Sequence, residues 1–218
     1  VLRGSHDGFV ETLILNTALI RRRIRDTDLT VQAFKIGSRS QTDVAVLYME
    51  SKVDKKFLKE LTKRLNSIKT PSLTMNQQSL IEALYKRLWY NPFPKVKHTE
   101  RPDTAASAVL EGNIVILVDN APSALLMPTS IFDVLEEADD YYFSPVVGTY
   151  LKLSRYFITI LSVFITPLWL LALQNPQLCP DIFKFILVDE PQNVPVFWQL
   201  ILMEIGIDGL RLAALNTP

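Results

Sequence analysis

The stretch YFITILSVFITPLWLLAL, residues 156–173, carries no charged side chain. As an α-helix it would rise about 27 Å, close to the ~30 Å hydrocarbon thickness of a bilayer. The uncharged run is longer still, from Tyr156 to Pro180. It lies too deep in the chain for a signal peptide. The reading is a transmembrane helix over about 145–174, started by Ser144-Pro145 and kinked where Pro167 frees a backbone carbonyl.

Outward from that stretch, charge divides the chain. Residues 1–155 hold 21 of the 23 Lys and Arg and 18 of the 23 Asp and Glu. Lys152 and Arg155 precede the span, whereas Asp181, Asp189 and Glu190 follow it. The positive-inside bias therefore predicts residues 1–155 in the cytoplasm and 176–194 outside. Cys179, beside Pro180, reads as an inert interfacial thiol. A second helix is expected over 195–215. Its Glu204, Asp208 and Arg211 fall within about 60° of one another at 100° per residue, forming one polar stripe. Exposed to lipid near the bilayer centre, each would cost ~2.5–3.5 kcal/mol. The stripe either faces other helices, a subunit interface or water, or it ends at the membrane surface with Arg211 snorkelling and neutralising Asp208. With no initiator Met and an apolar stretch close to the last residue, the sequence reads as a fragment of a larger multi-pass membrane protein.

Before the membrane region of residues 141–218, residues 1–140 read as an α+β (α/β) domain with a mixed sheet. Phe9, Val10, Leu13, Ile14, Thr17, Ile20 and Ile24 recur at helical spacing and predict an amphipathic helix over 7–25. Strands are expected over 30–36 and 43–49, joined as a hairpin, with Val31, Ala33 and Phe34 inward. Asp54 caps a helix to about Asn66 whose apolar face is Phe57, Leu58, Leu61 and Leu65. A further helix is expected over 77–89, then an extended turn through Tyr90-Asn91-Pro92-Phe93-Pro94 and a strand over 95–99. Pro102 fits a first helical position, with Asp103 in the dipole-favoured first turn of a helix to Glu111. Two apolar strands, 113–118 and 123–127, flank the turn Asp119-Asn120-Ala121-Pro122.

Several chemistries are excluded. The formal net charge is zero, with one Cys, two His and seven scattered Gly. That composition carries no basic excess for nucleic acid, no disulfide framework, no multi-thiol metal site and no glycine-rich phosphate loop. No cofactor is called for. His98 beside Thr99-Glu100-Arg101 is the minimum for acid–base work, but no nucleophile is spaced to it. Glu100, Arg101, Pro102 and Asp103 read instead as a structural motif, an ion pair or a held turn. The run Arg21-Arg22-Arg23-Ile24-Arg25 reads as a solvated helix C-terminus, or as a site for anionic headgroups or an acidic partner. Glu136 to Asp140 reads as a solvated acidic linker, or as a partner for that basic helix.

Leu2-Arg3-Gly4-Ser5-His6-Asp7-Gly8-Phe9-Val10-Glu11 and Asn16-Thr17-Ala18-Leu19-Ile20-Arg21-Arg22-Arg23-Ile24-Arg25-Asp26 resemble the GerA family of spore germination proteins. So do Gly37-Ser38-Arg39-Ser40-Gln41-Thr42, Tyr90-Asn91-Pro92-Phe93-Pro94, Thr99-Glu100-Arg101-Pro102-Asp103, Leu110-Glu111-Gly112, Val118-Asp119 with Pro122, and Tyr141-Tyr142. Pro167-Leu168-Trp169-Leu170-Leu171, Gly206-Ile207-Asp208-Gly209-Leu210-Arg211-Leu212-Ala213-Ala214 and Asn216-Thr217-Pro218 are similar to the stage V sporulation protein AF branch of that family. Nutrient-receptor A subunits read Glu-Ala-Gly-Leu-Arg-Leu-Pro where this chain has Ile207-Asp208-Gly209-Leu210-Arg211-Leu212 followed by alanine. The resemblance implies a non-enzymatic, multi-pass subunit of the spore inner membrane that contributes to signal transduction and ion release. It further implies a homo-oligomer working with other membrane subunits, and a chain that starts at the second subdomain of a cytoplasmic N-terminal region. Two rivals are a small-molecule germinant-binding module with a transmitting membrane part, and a membrane-anchored enzyme centred on His98.

Overall fold

In 44–48 and 114–118 every residue is apolar or aromatic, so both faces of each strand must be covered. The computed structural model describes residues 6–85, 93–137, 140, 142–178, 180–187 and 193–215, and it shows that double cover. Strands β1 (Leu29–Ile36), β2 (Thr42–Met49), β3 (Lys97–Thr99), β4 (Ile114–Val118) and β5 (Ala124–Met127) form one sheet, ordered β1-β2-β4-β5-β3. Val44, Val46, Ile114, Ile116, Leu125 and Met127 face the helices α2 (Lys55–Ser67) and α3 (Gln77–Leu84). Ala45, Leu47, Val115, Leu117 and Leu126 face α1 (Leu13–Arg23) and α4 (Pro102–Glu111). Leu47, Ile116 and Leu117 are fully buried, each contributing ~1.5–3 kcal/mol relative to exposure.

The sheet is antiparallel at every pairing, where a mixed sheet was expected. Val44 lies opposite Val118, Ile114 opposite Met127, and Thr99 opposite Ala124. β3 and β4 run the same way on either side of α4, but the β4–β5 hairpin folds β5 between them. This split β-α-β arrangement removes the parallel pair that a helix-linked strand order suggests.

The first helix is shorter than its periodicity predicts. Residues 6–10 lie outside the helix, and Asn16 explains why: its Oδ1 accepts the Val10 N–H at 2.8 Å and its amide donates back to the Val10 carbonyl at 2.5 Å. Phe9 N–H donates to the Glu100 carbonyl at 2.9 Å, and Leu13 N–H to the Asp119 carboxylate at 3.1 Å. Asn16 is therefore fully buried, while Ile14, expected in the core, is 78% exposed. Among the expected inward residues of β1, Ala33 is exposed; β1 is an edge strand, and its ends Leu29 and Ile36 are the buried positions.

Asp54 caps α2 as expected, accepting the Lys56 and Phe57 N–H groups. Helix α3 stops at Leu84, short of the expected residue 89; Tyr85 is extended, and 86–92 lie outside the described residues. Gly112 ends α4 with φ +103, where a Cβ would come within 3.0 Å of the Lys52 carbonyl, so only glycine closes that turn without strain. A short helix α5 (Ile131–Leu135) starts with a reciprocal cap between Ser130 and Asp133.

The chain divides into two compact units, Val1–Lys152 and Leu153–Pro218. Helix α6 (Pro145–Gln174) begins in the first and continues into the second. Within the first unit, buried Gly148 lets its helical turn meet the Asp140 carbonyl, which would stand 2.6 Å from an added Cβ. The second unit holds the rest of α6, with Pro167 inside it, two 3-10 turns (Pro176–Leu178 and Asp181–Ile186), and α7 (Val196–Leu215).

Candidate functional site

The end of β3 and the start of α4 build a polar cluster in the sheet unit. Thr99 Oγ1 accepts the Arg101 N–H at 3.2 Å, turning the chain so that Pro102 opens α4. Pro102 costs no hydrogen bond there because a first helical position has no intrahelical partner. Arg101 then folds onto Asp103, with Nη2 at 2.8 Å and Nε at 3.2 Å from the carboxylate. The Thr104 N–H donates to the same carboxylate at 2.9 Å, and the Tyr142 hydroxyl at 2.5 Å. The Arg101 guanidinium also lies 5.4 Å from the Tyr142 ring centroid.

Burial pushes the Asp103 carboxyl upward, but the hydrogen bonds from Arg101, Tyr142 and Thr104, with the Arg101 charge, outweigh it. The group is held well below the ordinary carboxylate range and stays ionised. The ion pair of this motif joins Arg101 to Asp103, while Glu100 takes part through its backbone carbonyl. Tyr142, the most distant member of the cluster in sequence, lies 39 residues beyond Asp103, and no spacing rule connects the two.

Beside this cluster a cavity of about 180 Å³ opens between α4, β5 and α5. Asp103, Glu111, Asp133, Glu136 and Glu137 contribute acids to its wall, and Lys97 a base. Lys97 Nζ donates to the carbonyls of Asp133 and of Glu136, the latter at 2.9 Å, and Glu136 pairs with Lys152 at 3.2 Å. The acidic stretch read as a linker is thus partly wall; Ala138 and Asp139 lie outside the described residues. His98 is an exposed residue of β3 outside this wall, and desolvation by its neighbours lowers its pKa. Among the described residues no hydrogen bond or ion pair links it to Glu100, and no group of His, Cys, Asp and Glu has metal-holding geometry.

Glu204, Asp208 and Arg211 all stand exposed on α7, within the 60° arc that their spacing dictates. Cys179, Asp189 and Glu190 lie outside the described residues. Among the described residues, α6 is the one helix long and apolar enough to cross a membrane, with a mean hydropathy of 2.1 and none of its most apolar window buried.

The whole chain, residues 1–218, matches the family model described as Bacillus/Clostridium GerA spore germination protein. The chain belongs to the GerA family. This GerA-family chain is 42% identical over 218 residues to stage V sporulation protein AF of Bacillus subtilis (strain 168), covering 100% of itself and 44% of that relative. It is 31% identical over 221 residues to spore germination protein A1 of the same organism, covering 100% of itself and 45% of the relative. Another relative at 31% identity over 220 residues is the uncharacterized membrane protein YfkQ of B. subtilis (strain 168), with 100% and 42% covered. The chain thus spans less than half the length of these curated relatives. Among solved structures, the N-terminal domain of the A subunit of the Bacillus megaterium spore germinant receptor GerK3 is 36% identical, with a TM-score of 0.45, covering 57% of this chain and 98% of that one. The expected family is therefore established, and these relatives bear the names of sporulation, germination or membrane proteins rather than of enzymes.

Proposed function

We propose that this chain is part of a non-enzymatic, multi-pass subunit of a germination complex in the spore inner membrane. Its sheet unit lies in the cytoplasm and serves assembly and gating. Its helices pack with copies of the same chain and with other membrane subunits around a path for ion release. The observation that carries this reading is α6: an uninterrupted helix of 30 residues, uncharged from Tyr156 onward, in a chain of the GerA family. The Glu204, Asp208 and Arg211 stripe supplies groups that a lipid-facing helix would expose at high cost.

Replacing Glu204 and Asp208 by Gln and Asn in the full-length protein tests the stripe. Slower ion release with normal protein abundance supports a cation path. Reduced abundance of assembled protein supports a packing role through Arg211, because the change strands a buried cation. Unchanged release with unchanged abundance removes both roles.

The cavity beside Asp103 supports a second reading, a sheet unit that binds a small polar germinant. A ligand-dependent rise in the unfolding temperature, lost in Glu111→Ala, supports it. No rise with any germinant active on the parent spores removes it.

A further inference from the structure

Helix α1 is apolar on two opposite sides. Asn16, Ile20 and the following Ile24 are buried, and that side is fully used by the core. Opposite them, Ile14, Leu15, Ala18, Arg21 and Arg22 are all exposed. At 100° per residue these five fall in an arc of about 120°. Ile14 is 78% and Leu15 55% exposed, so two large apolar side chains stand in water without any service to the fold.

The charge of the helix and of the two residues after it is one-signed. Residues 13–25 hold four arginines and no acid. Arg23 is taken by Asp7 at 3.2 Å. Arg21, Arg22 and Arg25 have no carboxylate within ion-pair distance among the described residues. Cations in a last helical turn complement the dipole, but that effect is confined to one turn and leaves Ile14 and Leu15 unexplained. Aliphatic side chains at one end of an exposed face and arginines at the other are what an interfacial helix presents to a negatively charged membrane surface.

We propose that the exposed face of α1 docks on anionic lipid headgroups, Ile14 and Leu15 entering the headgroup–acyl boundary while Arg21, Arg22 and Arg25 meet phosphates. The inference rests on the reading of α6 as a membrane span, which tethers the sheet unit to a bilayer. Tethering raises the effective concentration of lipid enough for a weak electrostatic contact to be occupied. Neutralising the three arginines, at about five-fold each, weakens partition by about 100-fold.

The test uses the full chain in a Cys179→Ser background, with Ile14→Cys carrying an environment-sensitive dye. The chain is reconstituted in phosphatidylcholine vesicles with and without one-third phosphatidylglycerol. The expected result is shielding of the dye from an aqueous quencher only with phosphatidylglycerol. It should fade at 1 M salt, where the Debye length falls to ~3 Å, and be lost when Arg21, Arg22 and Arg25 become Gln. Equal shielding in both lipids, shielding in lipid-free detergent that rises with protein concentration, or no shielding overturns the proposal. The first two outcomes would assign the face to a protein surface. Resistance to carbonate washing is read in parallel. If the chain washes out, the span reading fails, while shielding by added phosphatidylglycerol vesicles still decides the role of α1.

Discussion

The two units use the same kinds of residue in opposite ways. In the sheet unit, Leu47, Ile114, Ile116, Val115 and Leu125 are sealed between two helix layers. On α6, Phe157, Val163 and Phe164 are 60% exposed or more. The sheet unit closes its own core, and named polar groups hold the turn before α4 and the starts of α2 and α5. The helical unit displays its apolar surface, and α7 carries Glu204, Asp208 and Arg211 on one face. Apolar content therefore does not separate the units. What separates them is cover: the sheet unit's apolar residues are sealed by its own helices, and those of α6 stand exposed among the described residues.

The sharpest way to break this contrast is to truncate one large apolar side chain on each side. Leu47→Ala empties a fully buried site and should cost ~2–5 kcal/mol, including the cavity it leaves. Phe164→Ala on α6 should leave the unfolding of the sheet unit within ~0.5 kcal/mol of wild type. Hydrogen exchange of the β2 and β4 amides, measured in detergent on the full chain, reads both. Equal losses would mean that the sheet unit draws its stability from the helices.

A smaller effect comes from the one amide that locks the sheet unit's entry. Asn16→Ala leaves the Val10 N–H and carbonyl without partners in a part-buried setting, and should cost ~1–3 kcal/mol. Proteolysis should then cut near residues 8–12 before any other described site of this unit. Protection of that segment in the variant would show that Phe9, which is buried and bonded to Glu100, holds it alone.

Asn16 also marks where the sequence stopped being legible. A 3.6-residue period cannot distinguish Ile14 from Ile20 as the buried side, because α1 is apolar on both. The deciding fact is a buried polar group whose partner is six residues away. Strand positions were legible within about two residues because the runs 44–48 and 114–118 are uniformly apolar. Strand direction was not, since a two-sided apolar run reads the same in parallel and antiparallel sheets. The Arg101, Pro102 and Asp103 turn was visible from Pro102 at the first helical position. Its completion by Tyr142, and the cavity wall supplied by Asp133, depend on tertiary placement that no local pattern encodes. On α7 the stripe follows from spacing alone, whereas what it faces depends on surroundings outside the chain.

Local capping makes a more modest difference. Asp54→Ala removes the acceptor for two N–H groups at the start of α2 and should cost about 1 kcal/mol. Asp54→Ser should recover most of it. The loss belongs to the sheet unit only, so it should appear in the exchange of α2 amides and leave those of α6 unchanged.

The smallest effect lies three residues before the start of α6. Tyr142→Phe deletes one hydrogen bond to Asp103 but leaves those from Arg101 and Thr104. Tyr142 is half exposed, so the expected cost at neutral pH is only about 0.5–1 kcal/mol. Its pH dependence identifies it. The Asp103 pKa is lowered in the fold, so its stabilisation is complete above the unfolded value of about 3.9 and is lost as pH falls toward the folded value. Losing one donor brings the folded pKa nearer to the unfolded one, so the acid limb of the variant should be shallower. The stability gap between variant and wild type should then narrow only below pH 3, where the folded carboxyl begins to take up its proton. His98, whose lowered pKa makes the fold lose stability below about 6.5, contributes equally to both proteins and cancels in the difference. A gap that stays constant below pH 3 would mean that the Tyr142 ring, packed against Arg101, matters and its hydroxyl does not.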